Sequence, residues 1–546
     1  MKSVAGWPKY NRARTMNRRD IEKGDAQAIA RSAFNSLNGA RYLLLRVTDA
    51  AKGRAWLRTL APTSLADIAP SGAGKRVEQA IQVAFTAEGL STLGVGEDVI
   101  GRFAPEFVEG MAGDDNRSRR LGDVGANAPA NWLWGVGERT PHVLLILMAD
   151  AARIKAFARE KEAAAQAAGL SAIEVLPTDD MGGLEPFGFV DGVSQPSFDW
   201  EGVRNPGGEA DRDFTNLIAL GELLLGYRNE YGLFTDRPLI ESSEAGASML
   251  PPAAHPRDMR DLGLNGSYLV YRQLSQDVLG FWRWVAAEAS RVGQTKEGLA
   301  EAMVGRRLDG RPLPDLTLGR GVPGVDPCFA DSNDFLFDTD PDGLICPVGA
   351  HIRRANPRTG DAPGGRQGWL DDFLVSVGLT TRLLTKPTSS TLPWRRNTTV
   401  WPFVRSQDDS IASARFHRIL RRGREYGVKI DREKALDPAT PDPQAGLHFI
   451  CLNANIGRQF EFIQSAWLAS PTFGALTGEQ DPLLGDRQPF PAPPPVAAPQ
   501  RTDGFTRPSA EPHLRRSSAV PPFVAVRGGA YFFLPSLSAL RWIARD

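Results

Sequence analysis

Cysteine is scarce in this chain of 546 residues: Cys328, Cys346 and Cys451 are the only three, and no CxxC pair occurs. A disulfide framework and a structural zinc site both fall away, and a reducing, cytoplasmic compartment fits best. No apolar run approaches the roughly 18 residues of a membrane helix. The basic opening, MKSVAGWPKYNRARTMNRRD, is not followed by the apolar stretch of an export signal, so a soluble protein that is neither exported nor membrane-bound is expected. Charge of one sign is lacking too: 64 Lys+Arg balance 64 Asp+Glu, which argues against a whole-chain role in gripping nucleic acid or an anionic surface. Several catalytic signatures are also missing. There is no HExxH, no EF-hand loop and no GxSxG. SGAGKR at Ser71 to Arg76 fails as a phosphate-binding loop, because Ala69 stands where glycine is needed and Arg76 where Ser or Thr is needed.

What is present is a repeated pattern of strands and helices. RYLLLRV from Arg41 reads as a strand, AKGRAWLRTL as a helix and AIQVAFT from Ala80 as a second strand. HVLLILMA from His142, an Ala-rich helix ended by Gly169, and SAIEVLP closed by Pro177 repeat the unit. Two such β-α-β units joined by a long connection predict a split, ferredoxin-like sheet with helices on one face. The connection, residues 87–141, reads as short helices and loops. The second half echoes the pattern: SYLVYRQL from Ser267, a helix, LHFICLNAN from Leu447, the helix IGRQFEFIQSAWL, then FVAVRGGAYFFLP as two short strands about Gly528 and Gly529, and a closing helix. The expected class is α+β with two related domains, 1–205 and 206–546. A Pro-rich, exposed linker is expected at about 488–522.

Of six histidines, His351 has distinctive neighbours, in CPVGAHIRRANPR from Cys346 to Arg358. Gly349 and Ala350 leave room for a bulky planar group, and Arg353, Arg354 and Arg358 suit carboxylates of a ligand. An axial imidazole beside guanidiniums matches haem with its propionates, although an Arg-rich loop is more often a solvated surface. A second island, GFVDGVSQP from Gly188, surrounds Asp191 with glycines; alone, it reads more readily as an Asx-type turn than as a site.

Together with ILRRGREYG from Ile419 and GLHFICLNANIGRQFEFIQ from Gly446, these islands resemble the dye-decolourising peroxidases, in their longer bacterial subgroup. ARYLLLRV, QVAFTAEGLSTLG, GSYLVYRQL and MVGRRLDGRPL extend the resemblance over most of the chain. The resemblance implies two ferredoxin-like domains forming a dimeric α+β barrel, with haem b held mainly by the C-terminal domain. It makes His351 the proximal iron ligand, Asp191 the distal acid–base and Arg421 the distal arginine, with Arg422 as an interchangeable neighbour. Arg353 is the implied propionate partner. Gly423 falls where some shorter relatives carry a distal Asn, and Gly457 where others place the acidic partner of the proximal imidazole, which leaves that partner unassigned.

The activity so implied is oxidation of dyes, phenolics or other one-electron donors by hydrogen peroxide through Compound I. A carboxylate over the iron takes and returns the peroxide proton, and a guanidinium stabilises the charge that develops as the O–O bond breaks. Surface Trp or Tyr would relay electrons from donors too large to enter, and dye oxidation is expected to peak below neutral pH. Two alternatives stand beside it: haem binding or iron release without peroxide turnover, and a non-haem interaction module.

Overall fold

The computed structural model describes residues 21–68, 77–202, 217–313, 335, 337, 340, 342–358, 414–488, 501–507, 515–517 and 519–546. The basic opening, Ser71 to Arg76, the 205/206 domain boundary, Cys328, His513 and much of the Pro-rich linker lie outside them.

In the first half, β1 (Gly39–Val47), α1 (Ala50–Thr59) and β2 (Gln79–Phe85) are followed by β3 (Val143–Ala149), α2 (Ile154–Ala167) and β4 (Leu170–Pro177). Asp49 caps α1 through the Lys52 amide, and Gly169 leaves α2 with φ of 73°. Short helices fill the long connection, among them Ala87–Thr92 and Asp115–Leu121, as the sequence predicts.

The second half runs β5 (Ser267–Gln276), α3 (Val278–Arg291), α4 (Lys296–Val304), α5 (His351–Ala355), β6 (Leu420–Arg421), β7 (Arg424–Tyr426), β8 (Gly446–Asn453), β9 (Val524–Leu534) and α6 (Leu537–Ile543). Between β8 and β9, IGRQFEFIQSAWL forms wide, π-type helical turns over Gly457–Glu461 and Ile463–Leu468. FVAVRGGAYFFLP is one strand rather than two, with a bulge between Val526 and Gly528. A side chain at Gly528 would strike the Trp134 indole at 2.6 Å, so glycine lets the ring lie against the strand.

All these strands join one nine-stranded antiparallel sheet in the order β6-β8-β5-β9-β2-β3-β1-β4, with β7 also paired to β8. Each half thus has the split β-α-β order, and the halves meet through the single pair Phe533 and Phe85. Alternation along β1 explains the layering. Leu43 and Leu45 pack with Leu57 of α1 and Phe157 of α2, while Tyr42 and Leu44 join Tyr271, Ile450 and Phe532 of the other half. Full burial of each of these inner side chains stabilises the fold by roughly 1.5–3 kcal/mol. The Tyr42 and Tyr271 rings lie 5.4 Å apart although their strands are not neighbours in the sheet. Just past β4, the Asp179 amide donates to Glu425 O of β7 at 3.1 Å, so the sheet curls until its outer strands meet.

Where it is described, the linker is only partly exposed: Gln488, Arg501 and Ala519 face solvent. Thr502, Phe505, Thr506 and Arg507 are buried, and Glu479 accepts from the Thr506 amide at 2.8 Å. Phe505 joins a core cluster containing Phe281, Trp282 and Leu483, which draws residues 502–507 inward.

Candidate functional site

The GFVDG segment forms a tight hairpin. Leu184 pairs with Val190, the Glu185 amide donates to Phe189 O at 2.9 Å and the Asp191 amide to Gly183 O at 3.2 Å. Gly188 and Gly192 have φ of 96° and 78°, which a side chain at either position would strain. The hairpin presents Asp191 to a cavity of about 290 Å³ that lies between it, the outer face of the second-half sheet and α5.

Arg421 reaches the same cavity from the edge of the sheet. Its own amide donates to Gln195 Oε1 at 3.1 Å, and Gln195 Nε2 donates to Arg421 O at 3.1 Å, so the glutamine that follows the hairpin satisfies an edge strand. Arg421 Nη1 then donates to Asp191 Oδ1 at 2.9 Å. Strand alternation separates the two adjacent arginines: Arg422 points to the opposite face, where its Nε donates to Ile29 O at 2.8 Å. Only Arg421 of the pair lines the cavity. Gly423 is required here, because a Cβ would lie 2.2 Å from His448 O.

The Asp191 side chain is 28% accessible, through the cavity. Burial pushes its carboxyl up, but the Arg421 charge and hydrogen bond, the Gly192 amide and the His351 charge hold it, on balance, below the ordinary Asp value.

His351 opens α5 and is fixed by a residue that sequence reasoning left unassigned. Its Nδ1 lies 3.0 Å from Asp481 Oδ2, while Asp481 Oδ1 accepts the amides of Leu483 and Leu484 at 2.9 and 2.8 Å. The Asp481 side chain is fully buried and His351 is 25% accessible. Burial lowers the imidazole pKa, yet the Asp481 charge and hydrogen bond raise it more, so the net shift is upward. Burial likewise raises the Asp481 carboxyl, and the His351 charge with the Leu484 amide brings it below its ordinary value. The pair leaves Nε2 as the nitrogen available to the cavity, and among the described residues no hydrogen bond to Nε2 is found. Gly457 lies elsewhere, against Glu106.

Arg353 does not join these residues. It is buried, donates to Cys346 O at 2.6 Å, lies 3.5 Å from Asp340 and stacks over Phe337, outside the cavity. One helical turn faces two ways: His351 and Ile352 look inward, Arg353 and Arg354 into the protein behind α5. Arg306 and Arg358 line the cavity instead, meeting at Ser194 Oγ at 2.6 and 3.2 Å. Burial and the like charge of Arg421 push Arg306 down to about 10.

His417 was a further omission; it lines the cavity and stacks on Phe462 at 3.8 Å. His142 and His448, by contrast, are structural. His142 Nδ1 accepts from the Val47 amide, and His448 Nε2 donates to Pro177 O. The remaining walls are largely apolar and include Phe189, Phe449, Ile463, Trp467 and Leu483. Among the described residues, no group of three or more His, Cys, Asp or Glu is placed to hold a bare metal ion.

No family model matches the chain. Individual proteins do match it along most of its length. It is 28% identical over 520 residues to the multifunctional dye peroxidase DyP2 of Amycolatopsis sp., covering 91% of each chain. It is 26% identical over 481 residues to the dye-decolorizing peroxidase msp1 of Mycetinis scorodonius, covering 85% of this chain and 76% of that one. In fold it is similar to a fungal DyP-type peroxidase from Auricularia auricula-judae, with a TM-score of 0.66 at 21% identity over 97% of this chain and 100% of the other. A dye-decolorizing peroxidase solved in complex with 2,6-dimethoxyphenol gives 0.65 at 22% identity, over 96% and 100%. In sequence and in fold the chain is a relative of the dye-decolorizing peroxidases.

Proposed function

We propose that this chain is a haem peroxidase that uses hydrogen peroxide to oxidise dyes, phenolics and similar one-electron donors. The observation that carries the reading is the ion pair of Asp191 with Arg421 in a cavity that also holds the anchored imidazole of His351.

The donor set fits haem b. His351, with the Asp481 carboxylate behind it, would hold the iron, and the aromatic and aliphatic walls would pack the macrocycle. Arg306 and Arg358, rather than Arg353, would pair its carboxylates. Haem supplies the iron at which the peroxide bond is broken and where oxidising equivalents are held. Asp191 takes a proton from the incoming peroxide and returns it to the departing oxygen, which leaves as water. Arg421 keeps that carboxylate ionised and places a fixed positive charge where negative charge develops. Asp481 makes His351 a stronger base and fixes its tautomer.

The two half-sheets, curled until β7 meets the end of β4, support closure into an α+β barrel with haem against its second half. For donors too large to enter, we assign Tyr231 as a surface contact: it is 44% exposed and stacks on Phe416 at 4.4 Å, next to cavity-lining His417. No helix among the described residues is long and apolar enough to cross a membrane. The unpaired, buried thiols of Cys346 and Cys451 support a cytoplasmic setting.

The test is to mix haem-loaded protein with peroxide in a stopped-flow spectrometer, then add a phenol. A spectral change on mixing, reversed by the phenol with formation of its oxidised product, is expected. An unchanged spectrum and no product would leave a haem-binding protein without peroxide turnover.

A further inference from the structure

Glu185 begins the hairpin that ends in Asp191, and its side chain folds back into the turn. Oε1 accepts the Phe189 amide at 3.0 Å, and Oε2 accepts the Phe187 amide at 3.0 Å and Gln276 Nε2 at 2.9 Å. The turn therefore carries two kinds of closure: the backbone bond between Glu185 and Phe189, and a carboxylate plugged into its centre. Glu185 and Gln276 both line the cavity. The Gln276 amide has a second property: its Oε1 is buried and has no hydrogen-bond partner among the described residues. An orphaned buried acceptor is costly, and this one belongs to an amide whose other end already touches a carboxylate. Rotating that amide by half a turn offers Oε1 to Glu185, which is useful only when Glu185 carries a proton to donate. The two side chains are matched to both protonation states of Glu185.

We propose that Glu185 and Gln276 form a proton-operated clasp on the hairpin, closed when Glu185 is ionised and loosened when it is protonated, so that Glu185 acts as a positioning residue for Asp191. The energetic setting agrees. Burial pushes the Glu185 carboxyl up, the amides of Phe189 and Phe187 and the Gln276 side chain pull it down, the Asp191 charge adds to the rise, and it settles at about 7. The groups packed around it add little charge of their own: α3 presents Phe281 to Phe187 and Trp282 to Phe187 O, both neutral. Across the same cavity stand the cations Arg272 of β5, Arg306 after α4, Arg358, Arg418 and Arg421, the imidazoles of His351 and His417, and the carboxylates of Asp123 and Asp191. When Glu185 is protonated on Oε2, that oxygen becomes a neutral hydroxyl and a weaker acceptor, so the bond from the Phe187 amide is weakened. The hairpin then rests more on its backbone bonds and on the packing of Phe187 and Phe189.

The importance of this clasp for turnover rests on the peroxidase reading, but its existence does not, so the test is made without peroxide. Hydrogen exchange of the Phe187 and Phe189 amides is followed in the full-length protein between pH 5.5 and 8.5 and corrected for intrinsic exchange by reference to the Leu43 amide of β1. Loss of one such hydrogen bond corresponds to about fivefold, so protection of at least one of the two amides should fall by up to about that factor as pH drops through neutrality. Glu185→Gln should remove the step and leave exchange uniformly fast, while Glu185→Asp should keep a step, displaced in pH. Should Glu185→Gln fail to fold, the wild-type profile and Glu185→Asp decide alone. Flat wild-type protection across the range, or an identical step in Glu185→Gln, would overturn the clasp. A normal step in a protein that fails to turn over peroxide would instead leave the clasp standing and remove the peroxidase reading.

Discussion

Replacing Asp481 with Asn tests the least visible part of the site. The carboxylate has both oxygens committed, one to the amides of Leu483 and Leu484 and the other to His351 Nδ1. An Asn side chain keeps a single acceptor. Facing it toward His351 would set an NH₂ group against two buried amides, whereas facing it toward the amides sets the NH₂ against Nδ1. The second arrangement leaves fewer donors unpaired, and it requires Nδ1 to accept, which moves the imidazole proton to Nε2. A nitrogen that carries a proton offers no lone pair to iron. Restoring the useful tautomer forfeits a charge-assisted hydrogen bond of about 1.5–3 kcal/mol, or about 10–100-fold in haem affinity. The imidazole pKa should also fall, because the Asp481 charge that raises it is gone. Haem titration of cofactor-free protein by Soret absorbance gives the affinity, and NMR titration of His351 in the same protein gives the pKa. Haem binding within twofold of wild type, with an unchanged axial-ligand spectrum and a folded circular dichroism signature, would refute the reasoning.

His351→Ala should abolish the normal ferric spectrum or most haem retention, read by absorbance after gel filtration. Asp191→Asn should slow the reaction with peroxide by about 10²-fold, measured by stopped flow. Because the Asp191 carboxyl is held below its ordinary value, ionised Asp191 and the stability of its pair with Arg421 persist in mild acid and are lost as pH falls through that depressed value; dye turnover should peak below neutrality. Arg421→Leu removes a main cause of the depression, so its acid limb in a pH profile should move toward neutrality and its peroxide step should slow as well. Arg353→Met should lower stability by about 1–3 kcal/mol in urea unfolding while haem affinity stays within about twofold, whereas Arg358→Leu should weaken haem binding by about tenfold.

Much of the strand order was legible because the long strands carry their own signals. HVLLILMA is buried along its whole length, and SYLVYRQL and LHFICLNAN alternate inside a sheet covered on both faces. The illegible strands were β6 and β7, which have two and three residues and carry four polar or charged side chains, Arg421, Arg424, Glu425 and Tyr426. Nothing periodic marks such a pair. Their strand conformation comes from β8, whose pairing with both is a contact between distant parts of the chain.

The same distinction governs the site. Asp191, Arg421 and His351 sit in local islands whose glycines and arginines are visible from neighbouring residues, and all three line one cavity. Asp481 is 130 residues from His351 in sequence, in a GEQDPLL stretch that an Asp-Pro turn explains equally well. Arg353 failed for the opposite reason: its composition was right, but a five-residue helix can turn only some of its side chains toward a ligand. At i+3 and i+7 from His351 stand Arg354 and Arg358, and only Arg358 of the two lines the cavity. Arg354 spends its guanidinium on the carbonyls of Trp467, Ser470 and Glu479. That anchor ties α5 to the segment bearing Asp481, so Arg354, nearly one helical turn on from His351, holds the imidazole's partner in place, while Arg306 and Arg358 are left facing the cavity.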